Sequence, residues 1–132
     1  MKIIADTNVL LRAALEDDPG QSPQAVRLLE ESELVIVGRH ALCEFVWVLR
    51  RSYKLSQTEI AMAMSKLLNS ANVITDDAAI GAGFKAMQAG ADFADGVIDY
   101  EGRWLGGETF VSFDKKAVAA LAKQGMKAEL LG

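Results

Sequence analysis

Four acids in this sequence stand where apolar segments would otherwise run unbroken. Asp6 ends the run Ile3-Ile4-Ala5 and is followed by Thr7 and Asn8. Glu44 is the single charge in Ala41–Leu49. Asp95 lies among Phe93, Ala94, Val97 and Ile98, and Asp114 ends the run Thr109–Phe113. A carboxylate placed in apolar surroundings costs several kcal/mol unless it is paired or coordinates a cation. Carboxylates offer only oxygen ligands, a donor set that selects Mg²⁺ or Mn²⁺, hard cations that keep several waters and bind substrate phosphates. The chemistry implied is phosphoryl transfer, with metal charge stabilising the transition state and an activated water attacking in line. No Ser-His-Asp set, Cys-His pair or glycine-rich phosphate loop competes for this role.

Each acid also has a structural alternative. Asp6, Thr7 or Asn8 serves equally as the N-cap of a following helix, and so does Asp114. Asp92, Asp95 and Asp99, spaced by three and then four, share one helical face, where like charges repel unless a cation intervenes. Asp92 is well placed as an N-cap, whereas Asp95 has no such explanation. Glu44 is expected to be buried and to need a cationic partner. Arg50 and Arg51, six and seven positions on, are too far along the helix for a local pair.

The elements that must carry these acids alternate. The first residues read as a buried strand delivering Asp6 to its carboxyl end, the edge at which open α/β sheets bind ligands. A helix over Asn8–Leu15 ends in the turn 16–20, whose acids read as a solvated loop, and Ser22-Pro23 opens a second helix with Ser22 as N-cap. A second buried strand spans 33–38 and a helix 40–51. Ser56-Gln57-Thr58-Glu59 is a capping box that starts a fourth helix, with Ile60, Met64, Leu67 and Leu68 on one face. A strand at 72–75, a helix ending at Gln88 with Gly90 as its stop, a helix over 91–105, a strand at 108–113 and a helix from Asp114 to Gln124 complete the pattern. Residues 126–131 can add an edge strand. This alternation predicts one α/β domain over residues 1–132, with a mostly parallel central sheet of four to five strands flanked by helices.

Composition narrows the function classes. A 132-residue chain that is 51% hydrophobic buries a real core. No apolar run approaches 18 residues and no leader is evident, so a cytoplasmic protein independent of membranes is expected. The single Cys43 has no partner and reads as a buried thiol, and the single His40 reads as a loop or helix-start residue that cannot build a zinc site. The net charge of −4 argues against holding nucleic acid through a broad basic field. It leaves Arg12, Arg39, Arg50, Arg51, Lys115 and Lys116 as candidates to meet phosphates.

Taken together, Ile3-Ile4-Ala5-Asp6-Thr7-Asn8, the embedded Glu44, Ala91-Asp92-Phe93-Ala94-Asp95 and Val111-Ser112-Phe113-Asp114 resemble the PIN-domain ribonucleases, specifically the VapC-type toxins of toxin–antitoxin pairs. The resemblance spans the chain in order and length. It implies a metal-dependent endoribonuclease, a homodimer, and a cognate antitoxin protein that blocks the acidic pocket. Its motif positions make Asp6, Glu44, Asp95 and Asp114 the catalytic and Mg²⁺- or Mn²⁺-binding acids. Asp92, one helical turn before the matched position, is an additional metal candidate, and Thr7, Asn8 and Ser112 fall at accessory polar positions. A small residue is common where Gly96 stands.

Other readings start from the same residues. An aspartate-based phosphatase would make Asp6 a nucleophile but wants an acid where Asn8 stands. A receiver domain wants paired acids after the first strand and a lone acceptor after the third, the reverse of what is found here. A catalytically idle module of the same fold, holding RNA or protein, would be favoured by missing acids, and none is missing.

Overall fold

The computed structural model describes residues 1–132 and contains five strands and seven helices. In chain order these are β1 (Lys2–Ile4), α1 (Thr7–Leu15), α2 (Gln21–Glu31), β2 (Leu34–Ile36), α3 (Arg39–Arg51), α4 (Gln57–Leu68), β3 (Val73–Ile74), α5 (Asp77–Gln88), α6 (Phe93–Trp104), β4 (Phe110–Ser112), α7 (Lys115–Lys123) and β5 (Ala128–Leu130). The fold class is α/β, and every strand pair is parallel. The ladders are two rather than one. β1, β2 and β3 form a three-stranded sheet in that order, and β4 pairs with β5. The chain divides correspondingly into two compact units, Met1–Asp76 and Asp77–Gly132.

In the first unit β2 is the central strand, with Val35 set between Ile3 and Val73. Val35 and Val37 are sealed, and Leu10, Leu42, Phe45, Leu49, Ile60 and Met64 complete a core of fully buried side chains. Each such side chain contributes roughly 1.5–3 kcal/mol through the water it sheds. β1 is an edge strand, and its Ile4 is 85% exposed, so this strand is not the fully buried one that its apolar sequence suggests. Asn72 bonds the carbonyls of Leu29 (2.8 Å) and Ser32 (3.0 Å), which secures the end of α2 to the start of β3.

Local capping explains most helix starts. Ser56 and Glu59 make the expected reciprocal bonds at α4, 3.1 and 3.0 Å. α2 begins two residues earlier than its Ser-Pro pair suggests, because Asp18 accepts from the backbone N–H groups of Gln21 (2.7 Å) and Gly20 (2.9 Å). Those bonds hold the Asp18 carboxyl below its ordinary pKa. Ser22 is displaced into the first turn, where its hydroxyl accepts from the Asp18 N–H instead.

The second unit is built on the α5–α6 hairpin. Gly90, at φ +105°, makes the turn in a conformation that suits glycine. The two helices approach closely: a Cβ on Gly83 would meet the Phe93 ring, and one on Gly96 would run into the Ala82 carbonyl. Phe84 packs edge-on against Phe93 with centroids 5.4 Å apart. Ala86, Ala91, Ala117 and Ala120 then seat α7 on the hairpin.

Candidate functional site

Asp6 occupies the N-cap position of α1, and its backbone carbonyl accepts from Val9 and Leu10 as that position requires. Its side chain makes no cap hydrogen bond and is exposed. Helix capping, the structural alternative for this acid, is therefore not its role. Thr7 beside it is 8% exposed, and its hydroxyl donates to Glu44 Oε1 across 3.0 Å. Asn8 is exposed on the first turn of α1.

Glu44 differs from expectation. α3 buries Leu42, Phe45, Val46 and Leu49 but exposes Trp47 to 56%, and the Glu44 side chain is 53% exposed. The apolar run around Glu44 is thus an amphipathic helix whose solvent face includes a tryptophan. His40 supplies the cation-capable partner one turn earlier, its Nε2 3.3 Å from Glu44 Oε1. His40 lies in the first turn of α3, at the helix start as expected, and its i,i+4 spacing to Glu44 is a signal the sequence carries. Cys43 is half-buried rather than buried.

In the second unit Asp92 and Asp95 form a reciprocal capping box at the start of α6, in which the Asp92 N–H donates to Asp95 Oδ2 at 3.1 Å. Asp95 therefore has a local structural role that the sequence reading denied it. The remaining environment opposes its ionisation. Burial first, and then the charges of Asp92 and Asp114, raise the Asp95 pKa against the lowering effect of its backbone bond.

Asp114 is an N-cap, as its alternative held: Oδ1 accepts from the N–H groups of Lys116 (2.9 Å) and Ala117 (3.3 Å). Its second oxygen remains open, and the Ser112 hydroxyl accepts from the Asp114 N–H at 3.0 Å, fixing the turn. Asp99, read from spacing as a third unpaired acid, is instead 7% exposed and gripped by Arg103, whose Nε lies 3.0 and 2.9 Å from its two oxygens.

The phosphate-binding candidates sort into two kinds. Arg12 donates to Gln21 (2.8 Å) and lies 3.6 Å from Asp17, and Arg39 pairs with Asp76 at 3.0 Å, so both already hold the first unit together. Lys115 and Lys116 are exposed on the first turn of α7 beside Asp114.

No three His, Cys, Asp or Glu side chains gather closely enough to form a ready-made cage for a metal ion. The donor chemistry nevertheless fits a divalent cation. Asp92 and Asp114 are oxygen donors whose charges oppose ionisation of Asp95, and oxygen is the donor type that a hard divalent cation takes. Mg²⁺ suits so sparse a set because it retains water in most of its coordination positions.

Residues 3–99 match the PIN domain family, and the chain belongs to that family, whose members are typically nucleases that use Mg²⁺. The matched span includes Asp6, Glu44, Asp92 and Asp95, while Asp114 lies beyond it. Among solved structures the chain is similar to that of the VapC20 toxin of Mycobacterium tuberculosis, described as cleaving the sarcin-ricin loop. The identity is 17% and the TM-score 0.45, with 95% of this chain and 96% of that one covered. A comparison with curated protein sequences finds no match. No helix is long and apolar enough to cross a membrane.

Proposed function

We propose that this PIN-domain protein is a metal-dependent endoribonuclease, the toxin of a toxin–antitoxin pair, acting as one domain over residues 1–132 in the cytoplasm. Asp6, Glu44, Asp95 and Asp114 supply the acidic machinery, with Asp92 as an additional ligand. The observation that carries this reading is Asp6. It stands at a strand-to-helix junction inside the PIN match, yet its carboxylate is not used by the helix it precedes. A carboxylate left out of local structure is available for a ligand.

A bound Mg²⁺ or Mn²⁺ supplies Lewis acidity toward a scissile phosphate. The chain's own residues do the rest. Asp6, Glu44, Asp95 and Asp114 are the residues that would hold the cation. The Thr7 hydroxyl occupies Glu44 Oε1 and so fixes the carboxylate, leaving Oε2 to take a proton from the attacking water. Lys115 and Lys116 meet RNA phosphates flanking the cleaved bond. Asn8 and Ser112 are accessory polar groups, Ser112 through the turn that presents Asp114.

A homodimer and an inhibiting antitoxin complete the proposal. Trp47 is the exposed apolar residue of α3 available to an interface, whereas Phe45 and Leu67 belong to the core. An antitoxin Arg or Lys placed among the acids would replace the metal's charge without its Lewis acidity.

Incubation of the purified chain with mixed RNA and Mn²⁺ should yield discrete fragments. Cleavage should vanish in excess EDTA and in Asp6→Asn and Asp95→Asn variants that remain folded. Undiminished cleavage by both variants, or in EDTA, removes the assignment. RNA binding without cleavage under any divalent ion would favour the idle binding module.

A further inference from the structure

In the second unit α5, α6 and α7 line an open cleft of about 730 Å³. Its floor is made of small residues, for Gly96 of α6 lies so close to α5 that a Cβ there would strike the Ala82 carbonyl. Leu121 and Met126 add apolar surface. Tyr100 and Trp104 stand one turn apart on the same side of α6, Tyr100 half-buried and Trp104 76% exposed at the rim. The charged groups of the cleft are three. Asp99 and Arg103 neutralise each other, with Arg103 Nε 3.0 and 2.9 Å from the two carboxylate oxygens. The terminal nitrogens of Arg103 are committed to the Glu108 and Lys127 carbonyls, at 2.7 and 2.8 Å. Lys85 is exposed and carries no ion pair, so the cleft holds one uncompensated positive charge in a chain whose net charge is −4. Gln124 donates from its amide nitrogen to the Ala120 carbonyl at 3.2 Å, which leaves its Oε1 as an acceptor.

We propose that this cleft docks one nucleotide of single-stranded RNA, its base stacked on Trp104, its phosphate met by Lys85, and its base edge facing the Tyr100 hydroxyl and Gln124 Oε1. The inference deepens the nuclease reading and rests on it for the ligand being RNA. Single-stranded RNA is held by exposed aromatic rings, on which an unstacked base lies flat, together with cations that meet the backbone. The charges select the form of the ligand. One lysine matches the single charge of a phosphodiester, whereas the terminal phosphate of a free nucleotide carries about −1.5 to −2 at pH 7 and calls for more cations. A helix N-terminus could supply that extra attraction, but the start of α6 is already filled by the Asp92–Asp95 capping box. The net positive cleft also disfavours a basic peptide, the partner chemistry proposed for the acids. Trp104 follows Asp95 by nine residues, roughly half a circumference around α6 at 3.6 residues per turn. A nucleotide held here therefore flanks the cleaved bond and does not compete for the acids.

The test uses the full chain in EDTA, so that binding is read apart from cleavage. Trp47 and Trp104 are the two tryptophans, and Trp47→Phe makes Trp104 the sole indole reporter. Titration with a single-stranded RNA oligonucleotide should quench Trp104 fluorescence. Affinity for the labelled oligonucleotide, read by anisotropy, should fall at least fivefold in Trp104→Ala, an exposed position whose truncation leaves the core intact. Lys85→Gln should weaken binding and flatten the slope of log affinity against log salt by about 0.7, the share of one phosphate on a single strand. Absence of quenching, or wild-type RNA affinity in both Trp104→Ala and Lys85→Gln, overturns the inference. Equal affinity for AMP or for duplex RNA overturns it in favour of a free nucleotide or of backbone binding alone. Quenching by oligoarginine and not by RNA overturns it in favour of a protein partner. The nuclease reading is scored separately, by cleavage in Mn²⁺: cleavage that persists while the variants bind as wild type removes the cleft alone, and quenching without cleavage removes the nuclease alone.

Discussion

The Thr7 hydroxyl donates to Glu44 Oε1 across 3.0 Å, joining the residue after Asp6 to an acid 37 positions later. The bond fixes one oxygen of a half-exposed carboxylate and leaves the other open. Thr7→Val keeps the shape and removes the donor. It should cost about 1 kcal/mol in urea denaturation, the usual net value of one such bond. It should also lower RNA cleavage by more than that loss explains, because Glu44 is then free to turn. Unchanged cleavage in Thr7→Val would show that Glu44 needs no orientation.

Asp95 gives stability a pH dependence of defined sign. Its pKa is raised in the folded state by burial and then by its acidic neighbours, so the native state holds that proton more tightly than the unfolded chain. The contribution is fully present below the ordinary carboxylate pKa and is lost as pH rises through the elevated one. Asp95→Asn retains an oxygen for the Asp92 N–H. It should therefore be at least as stable as wild type at pH 7, with a flatter profile between pH 4 and 7 in chemical denaturation. Marked destabilisation at pH 7 would mean that the charged form is favoured in the fold.

Two glycines of α6 should respond oppositely to alanine. A Cβ at Gly96 meets the Ala82 carbonyl, and Gly96→Ala should cost about 1–3 kcal/mol or more through forced separation of α5 and α6. Nothing lies within 4 Å of a Cβ at Gly102, so Gly102→Ala should stabilise by roughly 0.5–1 kcal/mol. Thermal melts of the two variants check both signs.

Asp114 combines a cap with a proposed ligand, and two substitutions separate these roles. Asp114→Ala should lose about 1 kcal/mol with the cap. Asp114→Asn keeps an accepting oxygen and should hold most of that stability while losing Mn²⁺ affinity. Equal Mn²⁺ binding by Asp114→Asn and wild type would restrict Asp114 to capping.

What could be read from the sequence was what neighbouring residues decide. The Ser56–Glu59 box, the glycine stop at Gly90, the acid cap at Asp114 and the alternation of strands and helices all depend on a few consecutive side chains. The contacts that were not legible depend on distance along the chain or on which face turns outward. Glu44 reads as buried because Phe45, Val46, Trp47 and Val48 follow it, but Trp47 lies outside and takes Glu44 with it. Asp95 shows a different failure. Asp92-Phe93-Ala94-Asp95 is a capping box written with aspartates, a less familiar spelling of the Ser-x-x-Glu pattern seen at α4. Division of the strands into ladders of three and two is set by pairing between distant segments, which apolar runs do not encode.

The most direct measurement is the RNA cleavage rate of Asp6→Asn in Mn²⁺, taken with its melting temperature. Asp6 makes no side-chain cap bond, so the variant should melt within a few degrees of wild type. Its cleavage rate should nevertheless fall by at least a hundredfold. A folded Asp6→Asn protein that cleaves RNA at the wild-type rate would contradict the assignment of an acidic metal-dependent nuclease site to this chain.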